Sequence, residues 1–81
     1  MKLEFDPQAL TDLYYWAVAD RAKATRIIAL LDELEANPAR DSTPLRGALA
    51  GFASRRIDLR HRLVFAALRD RIVVLSCRYH D

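Results

Sequence analysis

One cysteine, two histidines, two glycines and three prolines among 81 residues exclude several classes of protein at once. A lone thiol forms no internal disulfide, and two imidazoles beside it cannot complete a zinc quartet. Little Gly or Pro beside a 52% hydrophobic share rules out a disordered, collagen-like or low-complexity chain. No apolar run approaches the roughly 18 residues that a membrane span needs. The opening Met-Lys-Leu-Glu-Phe-Asp-Pro shows neither an apolar export core nor a cleavage motif. A soluble, reduced, cytoplasmic domain without metal or cofactor is the expectation, a single one over residues 1–81. A chain of this size buries only about 63% of its unfolded surface, so one thin two-layer core is its ceiling.

The net charge of +2 conceals an uneven distribution. Residues 1–45 hold five bases against eight acids, whereas residues 46–81 hold eight bases against three acids. Every base of the second half is Arg, at positions 46, 55, 56, 60, 62, 69, 71 and 78. Guanidinium pairs bidentately with phosphate and stacks on bases, so the asymmetry points towards a polyanion. A solvated Arg-rich strand face accounts for the same pattern, and composition alone leaves both readings standing.

Local signals give the order β-α-α-β-β-β. Lys2 to Phe5 alternates like a strand, and Asp6-Pro7 supplies an N-cap followed by a first-turn proline. Leu10, Leu13, Tyr14 and Ala17 recur at helical spacing, predicting a helix over 7–19 in which Tyr14, Tyr15 and Trp16 cannot all face the sheet. Asp20 caps a second helix over 21–36, whose Ala24, Ile27, Ile28, Leu31 and Leu34 form one face before Asn37-Pro38 stops it. So short a gap makes the pair an αα-hairpin. After a loop over 38–44 the period falls to two. Leu45–Ala48, Phe52–Asp58, His61–Leu68 and Arg71–Cys77 then read as strands joined by short antiparallel turns. The predicted class is α+β, with the helical hairpin packed on one face of an antiparallel four-stranded sheet.

Three stretches carry a family resemblance. Leu49-Ala-Gly-Phe-Ala-Ser-Arg-Arg-Ile-Asp-Leu-Arg-His-Arg-Leu-Val-Phe65 resembles the L-x-G-F/Y/W-x-S-R-R-I-x-x-x-H-R-L-V-Y/F pattern of the YoeB/Txe toxins in the RelE/ParE superfamily. Cys77-Arg78-Tyr79-His80 is similar to that family's C-R-Y-H-Y ending, and Tyr15-Trp16 with Asp20-Arg21 to its Y-W-x-x-x-D-K/R. The resemblance implies a RelE-like fold and a type II toxin that cleaves mRNA in the ribosomal A site without metal. Its implied partners are an antitoxin protein, ribosomal RNA and mRNA, with pairing to a second copy of the chain left open. The chemistry is attack by a ribose 2′-OH on the adjacent phosphate, which needs a base, cations for the phosphorane and an acid.

Carried over by position, Arg62 takes the phosphate-stabilising role, Arg56 assists it, and His80 is the general acid. Arg46, Arg55, His61, Arg78 and Tyr79 are the expected substrate contacts. Strand parity qualifies this set: Arg55 and Arg56 must face opposite sides, so at most one joins the site easily. His61 serves equally well as a turn residue ahead of Arg62. Arg62 shares its parity with the small Val64 and Ala66, while Leu63 and Phe65 point into the core. Cys77, in an apolar strand, is expected to be an inert buried thiol.

Two family positions differ. Thr43 stands where the K-P-E-P-L loop motif has its Glu, the favoured base, and Asp81 replaces the closing Tyr. A threonine hydroxyl is no base near neutral pH, and losing a general base costs about 10²–10⁴ in rate. Reduced activity is therefore expected, with Asp81 as a surrogate base. The alternatives are a catalytically degraded module that binds antitoxin or ribosome, and a gyrase inhibitor of the ParE branch.

Overall fold

The computed structural model describes residues 2–80. Among them the chain runs β1 (Lys2–Phe5), α1 (Pro7–Ala19), α2 (Arg21–Ala36) and β2 (Thr43–Pro44). A 3₁₀ turn (Gly47–Leu49) then leads to β3 (Ala53–Arg56), β4 (His61–Ala67) and β5 (Arg71–His80). Asp6 begins α1 by accepting from the Gln8 N–H at 2.9 Å, with Pro7 in the first turn. Asp20 serves both helices. Its N–H reaches the Trp16 carbonyl at 2.8 Å, closing α1, while its carboxylate accepts from the Lys23 N–H at 3.4 Å, opening α2. One residue thus makes the corner of the predicted αα-hairpin.

The α+β class and helical hairpin are as predicted, but four strands rather than three follow the helices, and the sheet is five-stranded and mixed, in the order β1-β5-β4-β3-β2. β1 lies parallel to β5, pairing Lys2 with Arg71 through Phe5 with Val74. The remaining pairs are antiparallel. No strand forms at Leu45–Ala48, because Gly47 adopts a left-handed φ of 66° and starts the 3₁₀ turn. The flanking strand is instead the two-residue β2, paired through Thr43 with Ser54 and Pro44 with Ala53. β3 stops at Arg56 because the Asp58 carboxylate takes the N–H groups of Arg60 and His61 at 2.8 and 2.7 Å, folding 57–60 into a turn. β5 runs three residues past its expected end at Cys77, to His80.

Ile27, Leu34, Leu63, Phe65, Ile72 and Val74 are fully buried between helices and sheet. Each such side chain contributes about 1.5–3 kcal/mol relative to exposure. Leu63 and Phe65 face inward as predicted, but α1 does not bury the apolar set that marks it as a helix. Ala9, Asp12 and Trp16 point inward with Leu13 partly buried, while Leu10, Tyr14 and Ala17 lie outside. On α2, Leu30 takes the inner position expected of Ile28. The cause lies in β5. β1 covers only Arg71–Val74 of that strand, so the edge beyond needs other partners. Asp12 Oδ2 accepts from Ser76 Oγ and the Cys77 N–H at 3.0 Å each, and Trp16 Nε1 donates to the Cys77 carbonyl at 2.9 Å. Polar pairing sets this helix face.

Candidate active site

Arg62 lies near the start of β4, with Arg56 of β3 opposite on one side and Tyr79 of β5 on the other. Registered neighbours share a sheet face with Cβ atoms about 4.5–5.5 Å apart, and like charges so placed are destabilising. The two guanidiniums therefore form a row suited to an anion that bridges them. Ser54, one step along the same face, accepts from Arg62 Nη1 at 3.0 Å and orients it. Arg56 is exposed, with Nη1 at 3.5 Å from the Leu59 carbonyl. Thr43 pairs with Ser54 and is exposed on this face, so the position brings no ionisable group beside Arg62.

The next register row, His61 with His80, points to the helix-covered side of the same sheet end. His61 and His80 meet edge to face with centroids 5.7 Å apart, and His61 meets Trp16 likewise at 4.9 Å. His61 Nδ1 lies 3.1 and 3.2 Å from the two Asp58 carboxylate oxygens. Lys23 Nζ reaches Asp58 at 3.1 Å and Asp20 at 3.2 Å, and stands 5.5 Å from the Trp16 ring centroid. Partial desolvation works to raise the Asp58 pKa, but the Arg60 and His61 N–H groups, the His61 ring and Lys23 hold it below the usual carboxylate range. Hydrogen bonding to Asp58 and then Asp20 raises Lys23, and Lys23 in turn lowers Asp20. Lys23 is thus spent within the protein.

Register thus brings Arg56, Arg62 and Tyr79 together on one face and His61 and His80 on the other, meeting at the sheet end. Other expected contacts are elsewhere. Arg55 is only 2% exposed and faces the helices, donating to the Asn37 carbonyl and to Ser42 Oγ, with Glu33 3.8 Å away. Burial removes it from the substrate-binding set; it ties down the end of α2. Arg78 lays its guanidinium 3.6 Å from the Tyr15 ring centroid, a cation–π contact with α1. Arg46 is exposed just ahead of the 3₁₀ turn. Asp81 lies outside the described residues. Cys77 is buried as expected, and desolvation, with a smaller contribution from Asp12, pushes its thiol up to about 12. It is no nucleophile.

Sequence reasoning missed Asp58, Ser54 and the supporting role of Trp16. The spacing Asp58-x-x-His61 was the available sign, since a carboxylate three residues ahead can cap a tight turn. A cavity of about 470 Å³ lies away from this site, under the 38–45 loop, lined by Pro38, Leu45, Phe52, Phe65 and Ala67 among others. None of its lining residues is ionisable, so it offers no acid–base chemistry. Among the described residues no group of three His, Cys, Asp or Glu side chains could hold a metal ion, and no helix is long and apolar enough to cross a membrane.

Comparison with known proteins matches residues 5–81 to the family described as the YoeB-like toxin of bacterial type II toxin-antitoxin systems. The "Toxin YoeB" of Mycobacterium bovis is 43% identical over 81 residues, covering 96% of this chain and 95% of that protein. Two solved structures from Staphylococcus aureus are each 33% identical and cover 100% of this chain and 98% of theirs. One is a YoeB dimer with a TM-score of 0.88, the other a heterotetrameric YoeB-YefM toxin-antitoxin complex with a TM-score of 0.85.

Proposed function

The chain belongs to the YoeB-like toxins of bacterial type II toxin–antitoxin systems, and on that premise we propose that it is a ribosome-dependent, metal-independent mRNA endoribonuclease. The observation that carries this reading is the Arg56–Arg62–Tyr79 row lying one register step from His80. In the reaction the substrate 2′-oxygen forms a bond to phosphorus as its proton leaves, and the bond from phosphorus to the 5′-oxygen breaks. The products are a 2′,3′-cyclic phosphate and a 5′-hydroxyl. The guanidiniums of Arg62 and Arg56 offset the charge that builds on the equatorial oxygens. His80 donates to the departing 5′-oxygen, as an imidazole near neutral pH can. Tyr79 and Arg46 bound the substrate groove, and Arg78 reaches RNA if it leaves Tyr15.

The partners are an antitoxin protein and, for the reaction, the ribosome with its mRNA, in the cytoplasm. A YoeB dimer and a YoeB-YefM complex among the structural relatives support pairing with a second copy and with an antitoxin. Either partner would stabilise a domain of this size by mass action.

Thr43 sets the rate. With no carboxylate on the open face at that position, abstraction of the 2′-proton falls to water or to Asp81. Primer extension on mRNA after expression tests the main reading, discrete A-site cuts being the expected result. Cleavage on programmed ribosomes tests the base: Thr43→Glu should raise the rate, and Asp81→Asn should lower it. The exposed threonine also favours a second reading, a non-cutting module that occupies antitoxin or ribosome, for which no cuts and no growth arrest are expected. Growth arrest without cuts would indicate the gyrase-directed branch.

A further inference from the structure

We propose that His61 is a positioning residue for His80, holding the acid's ring in place as an aromatic wall anchored by Asp58 and Trp16. The inference rests on the endoribonuclease reading for its catalytic meaning, but its geometry stands independently. His80 is exposed at the end of β5, where a side chain ordinarily samples several rotamers. Its ring nevertheless packs edge to face on His61, with the planes 62° apart. His61 is itself held from two directions. The Trp16 ring meets it at an interplanar angle of 76°, and both Asp58 oxygens lie within hydrogen-bond reach of Nδ1.

Asp58 is fixed in turn by two backbone N–H groups and the Lys23 ammonium, so the chain of contacts ends on the turn and on α2. Trp16 is fixed by its bond to the Cys77 carbonyl, three residues before His80 on the same strand. A carboxylate facing Nδ1 makes that nitrogen the donor, which sets the ring plane. Nothing in this arrangement needs His61 to touch RNA. It acts through His80, whose placement at the leaving oxygen decides how often a bound substrate is in a reactive geometry.

The test compares His61→Ala, which removes wall and anchor, with His61→Phe, which keeps a ring of similar outline without the Nδ1 bond. Single-turnover cleavage on programmed ribosomes should show kcat falling about tenfold or more in the alanine variant at unchanged KM. The phenylalanine variant should recover most of that loss. In the isolated protein the His80 ring-proton resonances should shift in the alanine variant, as the neighbouring ring current disappears. Alanine-variant cleavage within twofold of wild type would overturn the proposal. So would a rise in KM at constant kcat, which marks a direct substrate contact, or a phenylalanine variant as impaired as alanine. If wild type cuts nothing, the endoribonuclease reading fails by itself. The resonances then decide the positioning claim, and an unmoved His80 signal rejects it. Where the alanine variant does not fold, His61→Leu, which fills the space without an aromatic wall, takes its place in both assays, with the same expected loss and the same overturning outcome.

Discussion

Arg55 and Arg56 are neighbours in one strand with opposite surroundings. Arg55 lies among the helices at 2% exposure, its guanidinium given to the Asn37 carbonyl, Ser42 and Glu33. Arg56 is exposed on the other side, opposite Arg62, with one long hydrogen bond to a turn carbonyl. A buried cation is tolerated only when hydrogen bonds and a counter-charge surround it, and such a residue has nothing left to offer a ligand. An exposed guanidinium held by one long hydrogen bond, as Arg56 is, can still meet an anion. The helix-covered face therefore uses Arg55 to hold the fold, and the open face leaves Arg56 available for binding.

Substitutions on the two faces should separate stability from activity. The largest effect is expected for Arg62→Ala, which should lower cleavage on programmed ribosomes by about 10²–10³-fold, the usual loss for a transition-state charge donor. The stability lost with the bond to Ser54 should be modest, about 0.5–1.5 kcal/mol. Arg55→Ala should do the reverse, costing about 1–3 kcal/mol in urea denaturation by leaving the Asn37 carbonyl without its donor. Cleavage per folded molecule should stay at the wild-type level. A large activity loss with intact stability in that variant would break the contrast.

Trp16→Phe should cost about 1 kcal/mol or slightly more, because the ring stays while the bond to the Cys77 carbonyl is lost. Faster hydrogen exchange along the end of β5 is the accompanying sign. The smallest effect concerns pH. The folded pKa of Asp58 is depressed, so its contribution is present above the unfolded value of about 3.9 and lost as pH falls below it. The folded pKa of Lys23 is raised, so its share is present below about 10.4 and lost as pH rises beyond. Stability should fall on the acid side of about pH 4, and Asp58→Asn should flatten that limb in acid titrations followed by circular dichroism.

Periodicity and capping make the helical hairpin and four of the five strands legible in the amino-acid order alone, and the Arg56–Arg62 pairing agrees with parity and hairpin order. Helix α1 shows where such reading stops. Leu10, Tyr14 and Val18 make an apolar stripe at helical spacing, but they are 53%, 72% and 72% exposed. The inward stripe includes Asp12, a residue that hydropathy assigns to water. It is inside because Ser76 and the Cys77 N–H require an acceptor there, a demand made sixty-odd residues later in the chain. The β1–β5 pairing was hidden for the same reason, since no turn joins its strands. Parity likewise said that Arg55 and Arg56 diverge without saying which one goes inside; the Asn37 carbonyl and Ser42 decide that.

The strand order also dictates a timetable. β5 is synthesised after every other strand, yet it lies inside the sheet, with β1 on one side and β4 on the other. As the chain emerges, the two helices can form locally, but Ile27, Leu34 and Phe65 have no complete floor to bury against. β1, made first, waits unpaired for Arg71–Val74. Contacts of such long sequence separation close slowly and late. Tyr79 and His80 lie at the far end of β5, so the arginine row exists as a working constellation only after the strand beside it has been made.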